Sequence, residues 1–206
     1  VSGVDERTYT EMILGVVREG APVVRNGTPA QQARFPELRA RWNLLRGGTL
    51  RGIYPPVFPY VAAPIYHFGG LRAVIRFNVA LLCALALGCY ALGRRFLNDP
   101  WWGVAAAYVT LLATPVWGLS VQVSSYALAI TLITWAAYFA LGALRAPPAR
   151  VRAVAATAGL VGAVAASTHI FTAPMLLALF AVLGLAAGER GERFTEADGD
   201  KRYVLE

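Results

Sequence analysis

The stretch AVAATAGLVGAVAASTHIFTAPMLLALFAVLGLAA, from Ala153 to Ala187, contains 35 residues and no formally charged side chain. As one helix it would be about 52 Å long, whereas the hydrocarbon core of a bilayer is about 30 Å thick. The polar residues Ser167, Thr168 and His169 stand near its middle, and Pro174 follows them. We therefore predict two short membrane-spanning helices that turn around His169.

Three further apolar segments precede this run, over Ala73 to Gly93, Trp101 to Leu119 and Val121 to Leu144. Their length and composition are typical of transmembrane helices. Hydrophobic residues make up 57% of the 206-residue chain and charged residues only 15%, which is unusual for a water-soluble domain. The sequence thus predicts an all-α fold, a polytopic helical membrane protein with about five transmembrane helices.

Arginines are concentrated in alternate loops of this predicted topology. These loops carry Arg94 and Arg95, then Arg145, Arg150 and Arg152, then Arg190 and Arg193. The two turns between them, near Ser120 and near His169, have no Lys or Arg. The positive-inside bias places the arginine-bearing loops in the cytoplasm, and the two turns are then expected on the outer face.

The chain divides into three predicted parts. Residues 1–70 are polar and are expected to form an outer, periplasmic loop with amphipathic juxtamembrane helices. Residues 71–188 form the transmembrane helical bundle, and residues 189–206 form a polar cytoplasmic tail. The abundance of Arg, Ala, Gly, Leu and Val with a single Lys suggests a bacterial protein, so the inner (plasma) membrane is the expected location.

Within the outer loop, apolar residues recur at helical spacing and predict an amphipathic helix over Arg7 to Glu19. Gly20 and Pro22 are expected to end that helix. The segment from Val23 to Arg51 is rich in Gly and Pro, so we expect a loop with one short helix near Glu37 to Leu45.

Composition also narrows the possible partners. The formal net charge is +7, but the arginines are dispersed and no Lys/Arg run interleaves with aromatic residues, so nucleic acid is not an expected partner. Arginines at membrane edges suit lipid phosphates and anionic headgroups. No Cys/His cluster has zinc spacing and no dinucleotide glycine pattern occurs. No metal site or cofactor is predicted, and divalent-metal dependence is left open.

A few ionisable residues on the predicted outer side are candidates for chemistry. Asp5 and Glu6 precede the amphipathic helix, where a carboxylate could accept a proton from an attacking hydroxyl or amine. The alternative is that they are helix N-terminal acids favoured by the macrodipole. Arg72 and Arg76 could bind a lipid phosphate, or simply extend toward lipid headgroups. His169 could supply a proton or contact phosphate, or be hydrogen-bonded inside its turn.

Several short motifs resemble the GT-C membrane glycosyltransferases, in the branch of protein O-mannosyltransferases and aminoarabinose transferases. Asp5-Glu6-Arg7-Thr8-Tyr9 followed by Gly20 looks like the D-E-x-x-Y…G segment that opens the family's first outer loop. Tyr54-Pro55-Pro56-Val57-Phe58-Pro59-Tyr60 with Ala63 to Gly69 is similar to the family's Y-P-P stretch. Arg76-Phe77-Asn78 and Leu92 to Arg95 resemble the flanks of the span that follows. Gln122 to Leu128 looks like the E-A-R-P-Y-A-L segment at the start of a later span.

The resemblance implies a fold, a reaction and a set of site residues. It implies that a sugar passes from a polyprenyl-phosphate carrier to a glycan, lipid or protein acceptor on the outer face, with Asp5 as catalytic base and Glu6 assisting. The substrate-binding residues are then Tyr9, Tyr54, Pro55, Pro56, Arg72, Arg76, Gln122, Tyr126 and His169. The family's first span normally precedes the acidic pair, so the resemblance also implies an N-terminally cropped chain.

The sequence departs from the family pattern at one place. Ser124 and Ser125 stand where the family often has Arg-Pro, which puts recognition of the donor phosphate in question. Two other functions therefore stay open. One is a transporter or flippase of lipid-linked substrates without catalytic activity, and the other is a membrane assembly subunit without a site.

Overall fold

The structure, a computed structural model, describes residues 4–24, 43–46, 49–52, 54–169, 171–182 and 184. These residues are mainly helical, as predicted for an all-α protein, with one short β-hairpin in addition. The helices are α1 (Val4–Glu19), α2 (Val57–Leu97), α3 (Pro100–Leu112), α4 (Val116–Ser120), α5 (Tyr126–Arg145), α6 (Pro148–Ala166) and α7 (Thr172–Val182). The strands are β1 (Asn43–Arg46) and β2 (Thr49–Gly52).

Three helices in the described part of the chain are long and apolar enough to cross a membrane. They are α2, α5 and residues Ala149–Ala166 of α6. Helices α3 and α7 are apolar but shorter. At 1.5 Å per residue the 13 residues of α3 extend about 20 Å, which is less than the hydrocarbon thickness. Three candidate spans are therefore present where the sequence predicted about five.

Helix α2 is bent at Gly70, at the boundary between the predicted outer segment and the predicted first span. Gly70 has φ 64° and ψ −165°, which is not a helical conformation, and Pro64 lies less than two turns earlier. Residues other than glycine are strongly disfavoured at these backbone angles. The part of α2 after Gly70 contains the predicted span Ala73 to Gly93, and the part before it holds the proline- and aromatic-rich segment.

We expect Gly70→Ala to lower the free energy of unfolding by about 1–3 kcal/mol, because alanine must adopt the same strained angles. Among the described residues nothing lies within 4 Å of the position that the alanine methyl would occupy, so strain and not a clash is the cause. Gly118→Ala is the matched control, since its methyl also meets nothing and its backbone is helical. Thermal unfolding in detergent measures both variants, and equal midpoints would contradict a strained hinge.

Helix α1 has the predicted apolar face but begins earlier than predicted. Tyr9, Met12 and Ile13 are fully buried, as their helical spacing indicated. The helix starts at Val4 instead of Arg7, so Asp5 and Glu6 belong to its first turn and do not precede it. This position is physically reasonable because acidic residues in a first turn interact favourably with the helix dipole. Gly20, with φ 70°, ends the helix as predicted.

The segment before α2 contains a hairpin where the sequence predicted loop and a short helix. Asn43 to Arg46 pair antiparallel with Thr49 to Gly52, and Arg46 faces Thr49. The prediction of a helix reaching Leu45 is wrong over residues 43–45; its earlier part lies outside the described residues. Gly47-Gly48 separates the strands by two residues, a spacing and composition that favour a hairpin and that the prediction overlooked.

The second and third predicted spans are shorter than expected. Helix α3 ends at Leu112, and the chain turns at Ala113 to Pro115 before the short α4. Pro115 has no N–H and disfavours helical angles at Thr114, so the prediction of one helix from Trp101 to Leu119 is wrong. Helix α5 begins at Tyr126 and not at Val121, because residues 121–125 form a turn.

The break predicted near His169 is confirmed. Helix α6 ends at Ala166, residues 167 and 168 form a turn, and α7 begins at Thr172. Leu176 and Leu179 of α7 pack with Val161 and Ala165 of α6 in one apolar cluster, which also includes Ala136 of α5. Over its described residues, the apolar run is thus a pair of packed helices, α6 and α7, and not one continuous helix.

Small residues and hydrogen bonds hold the bundle together. Gly93 of α2 and Gly103 of α3 face each other, and a methyl group on Gly103 would lie 2.6 Å from the carbonyl oxygen of Tyr90. Between α2 and α5, Thr131 Oγ1 donates to the carbonyl oxygen of Leu81 over 3.1 Å. Such close contacts are the usual basis of helix association in membranes, where apolar burial gives little preference for helix over lipid.

Candidate functional site

Tyr9 attaches α1 to the rest of the molecule. Its ring stacks on Tyr54, with centroids 4.9 Å apart, and meets Phe58 edge-on at 5.4 Å. Its hydroxyl shares a 2.6 Å hydrogen bond with Ser125 Oγ, and both groups are buried. One side chain therefore joins α1, the start of α2 and the residue before α5.

Asn78 makes a second connection between α2 and the turn before α5. Its Nδ2 donates to the carbonyl oxygens of Gln122, over 2.7 Å, and Ser124, over 3.3 Å. The residue is fully buried, and its Oδ1 has no hydrogen-bond partner among the described residues. Because the amide is shared between two carbonyls, Asn78 fixes the path of residues 122–124 against α2.

His169 and Tyr126 form a third contact at the same end of the bundle. Their ring centroids lie 4.5 Å apart, and His169 is only 3% exposed. His169 Nδ1 accepts from the backbone N–H of Phe171 over 3.3 Å, and its carbonyl oxygen accepts from the hydroxyl of Thr172. These bonds match the alternative in which His169 stabilises its turn, while a role in substrate binding stays a prediction.

The other predicted residues have more open positions. Arg72 and Arg76 are exposed, one helical turn apart on α2 and just after the Gly70 bend. Gln122 is also exposed, and only its backbone oxygen has a described role. Pro55 is half-buried, and Pro56 is exposed where α2 begins.

The acidic pair lies one turn before Tyr9 along α1. Glu6 is half-buried, and its carbonyl oxygen accepts from Thr10 Oγ1 over 2.8 Å. The described side chains begin at Glu6, so for Asp5 the structure gives the backbone position in the first turn of α1. The role of Asp5 as catalytic base therefore stays a prediction.

The contacts bring together three regions that the sequence predicted to share one side of the membrane. Tyr9 connects α1 to Ser125, and Tyr126 connects the same turn to His169. At the opposite end, Arg145 Nη1 donates to the carbonyl oxygen of Arg95 over 2.8 Å. The arginine-bearing ends of α2 and α5 are therefore adjacent, away from the α1 end.

Ser125 is a member of this cluster that the sequence analysis treated only as a departure from the family pattern. It directly precedes α5 and would be an ordinary N-cap residue, yet it makes no side-chain cap hydrogen bond. Its hydroxyl binds Tyr9 instead. The contact of Asn78 with the turn before α5 could have been expected from the sequence. A polar residue inside an apolar span usually faces another helix and not the lipid.

The described residues contain no group of three or more His, Cys, Asp or Glu side chains that could hold a metal ion. No protein-family model, curated protein or solved structure matches the chain. Function is therefore inferred from the residues and from the arrangement of the α1 end.

Proposed function

We propose that this protein is an integral-membrane glycosyltransferase that transfers a sugar from a polyprenyl-phosphate carrier to a glycan, lipid or protein acceptor. One observation supports the proposal: Tyr9 joins the helix that bears Asp5 and Glu6 to Tyr54 and to Ser125. The segments that resemble the glycosyltransferases are far apart in sequence, and this contact brings three of them together. A site assembled from them would lie at the α1 end of the bundle.

In the proposed reaction, the acceptor hydroxyl or amine attacks the anomeric carbon of the carrier-bound sugar. The bond between that carbon and the phosphate oxygen breaks, and polyprenyl phosphate leaves as the anion. Asp5 accepts the proton that the acceptor loses, and Glu6 positions the acceptor. Arg72 and Arg76 bind the phosphate, because two guanidinium groups one turn apart can neutralise and hydrogen-bond its oxygens.

The proposed location is the bacterial inner membrane, with the α1 end on the outer face. Five crossings are proposed. Helices α3 and α4 together make one crossing, and the α7 segment, whose sequence stays apolar to Ala187, makes another. The arginines at the ends of α2 and α5 then face the cytoplasm, in agreement with the positive-inside bias.

The test is transfer by the full-length protein in proteoliposomes that contain a polyprenyl-phosphate sugar labelled in the sugar. A glycosyltransferase releases one polyprenyl phosphate for each labelled acceptor formed. A flippase would move the intact donor between leaflets without releasing polyprenyl phosphate, and an assembly subunit would do neither. Either of those results would overturn the proposal.

Arg76→Ala is expected to raise KM for the donor about tenfold or more while kcat changes little, because a charge-assisted hydrogen bond to phosphate is lost. Arg94→Ala is the matched control, since Arg94 is exposed at the other end of the same helix. Initial rates at varied donor concentration give both constants. An unchanged KM in the Arg76 variant would assign that arginine to headgroup contact only.

A further inference from the structure

A groove on the arginine-bearing side of the bundle is separate from the proposed catalytic end. It has a volume of about 550 Å³ and lies between α2, α3, α5 and α7. Its lining includes Cys89, Ala106, Ala137, Leu141, Leu179 and, at one end, Arg145. From Ala137 to Arg145 the α5 wall is about 12 Å long at 1.5 Å per residue. The groove is thus apolar, with a cation at one end.

The surface around the groove is apolar and exposed. Phe96, which lines the groove, is 60% exposed, and the next residue of α2, Leu97, is 56% exposed. In a helix bundle of this composition such side chains face the hydrocarbon region of the bilayer. A molecule that enters the groove from this surface therefore arrives from the lipid phase.

The charge at the groove itself is positive, because Arg145 is the formally charged side chain in its lining. Along α2, the lining residues alternate with Arg94 and Arg95, and Asp99 follows the end of that helix. The Asp99 carboxylate accepts from the backbone N–H of Trp101 and caps α3. Arg145 Nη1 donates to the Arg95 carbonyl oxygen, and the guanidinium has further N–H groups for an anion. The end of the groove is therefore complementary to a headgroup of net negative charge, more than to one whose phosphate is balanced by an ammonium group.

We propose that this groove binds one acyl chain of an anionic phospholipid, with the lipid phosphate at Arg145. An acyl chain fits an apolar groove that opens to hydrocarbon, and a negative headgroup fits Arg145 at its end. The proposal does not rest on the proposed glycosyltransferase activity, because the groove lies at the end of the bundle away from α1.

The test uses the full chain in vesicles that contain a trace of phosphatidylglycerol with a diazirine on its acyl chain. After irradiation, mass spectrometry locates the crosslinked residues. We expect labelling of the groove at Leu141 and Cys89 that saturates with probe concentration. Unlabelled phosphatidylglycerol should displace the probe at a concentration at least about fivefold lower than phosphatidylcholine does. Leu160 on α6, which is 68% exposed, reports ordinary lipid contact and should show no such preference.

Two variants make the test specific. Arg145→Gln should reduce the preference for phosphatidylglycerol about fivefold. Arg152→Gln is the matched control, because it makes the same change in an exposed arginine of α6 that does not line the groove, and it should leave the preference unchanged. Ala137→Phe should fill the groove and remove its labelling while that of Leu160 persists, and thermal unfolding in detergent checks that the variant is folded. Equal displacement by both lipids, equal effects of both arginine variants, or a groove that is never labelled would overturn the proposal.

Discussion

Replacing Asp5 by Asn in the full-length protein is expected to lower sugar transfer by about 10²–10⁴-fold, the usual contribution of a general base. Asparagine keeps the size and much of the hydrogen bonding of aspartate but cannot accept the proton from the attacking group. Because Asp5 lies in the first turn of α1, the helix itself should form normally. Transfer from a polyprenyl-phosphate sugar, in membranes matched for protein level, measures the effect.

Glu6→Gln is the matched control for this prediction. It removes the neighbouring carboxylate from the same turn of α1, and we expect a smaller loss of transfer. If both variants lose activity equally, the two carboxylates act through the helix N-terminus and its dipole, and neither is assigned as the base. Unchanged transfer in the Asp5 variant would remove Asp5 as the general base.

Tyr9→Ala is expected to lower the free energy of unfolding by about 3–5 kcal/mol, the range for a large buried aromatic side chain. The substitution removes the stacking on Tyr54, the edge contact with Phe58 and the hydrogen bond to Ser125. It also leaves the buried Ser125 hydroxyl without its Tyr9 partner. Thermal unfolding in detergent measures this loss, and the yield of folded protein is a second measure of it.

Two comparisons separate packing from hydrogen bonding at Tyr9. Tyr9→Phe keeps the ring contacts and should lower the free energy of unfolding by only about 0.5–1.5 kcal/mol, the contribution of the lost hydrogen bond. The loss rises to about 3 kcal/mol if the Ser125 hydroxyl finds no new partner. Tyr108→Ala changes a 64% exposed tyrosine of α3 and should have little effect. A Tyr9→Ala protein as stable as the wild type would mean that α1 is not held to the bundle by this residue.

The Tyr9 variants also bear on the proposed reaction. If Tyr9 positions α1 for catalysis, Tyr9→Phe should retain most of the transfer activity, because the ring contacts keep α1 in place. Loss of transfer in Tyr9→Phe without loss of stability would instead place the phenol hydroxyl in direct contact with substrate.

The sequence by itself determined the mainly helical fold, the presence of helices long and apolar enough to cross a membrane, and the break in the last apolar run. The length of the run from Ala153 to Ala187 exceeds one crossing, and the structure has the predicted break before Thr172. The spacing of Tyr9, Met12 and Ile13 gave the buried face of α1. These features depend on local periodicity and on length, so they can be read without knowledge of tertiary contacts.

Local signals were also present where the sequence predictions failed. Pro115 ends the apolar helix that composition alone had extended to Leu119, and Gly47-Gly48 separates two strands that were predicted as loop and helix. In both places a turn-forming residue carried the information, and a prediction based on hydropathy or on general Gly and Pro content gave it too little weight.

Only the tertiary structure decided which distant residues meet at the α1 end. Tyr9 and Ser125 are 116 positions apart, and Asn78 binds carbonyls 44 and 46 positions away. Each local sequence is compatible with other partners, since a serine before a helix normally caps it and an asparagine in a span can face any neighbouring helix. Helix packing removes that freedom, because it places the Tyr9 hydroxyl against Ser125 and the Asn78 amide against the carbonyl oxygens of the turn before α5.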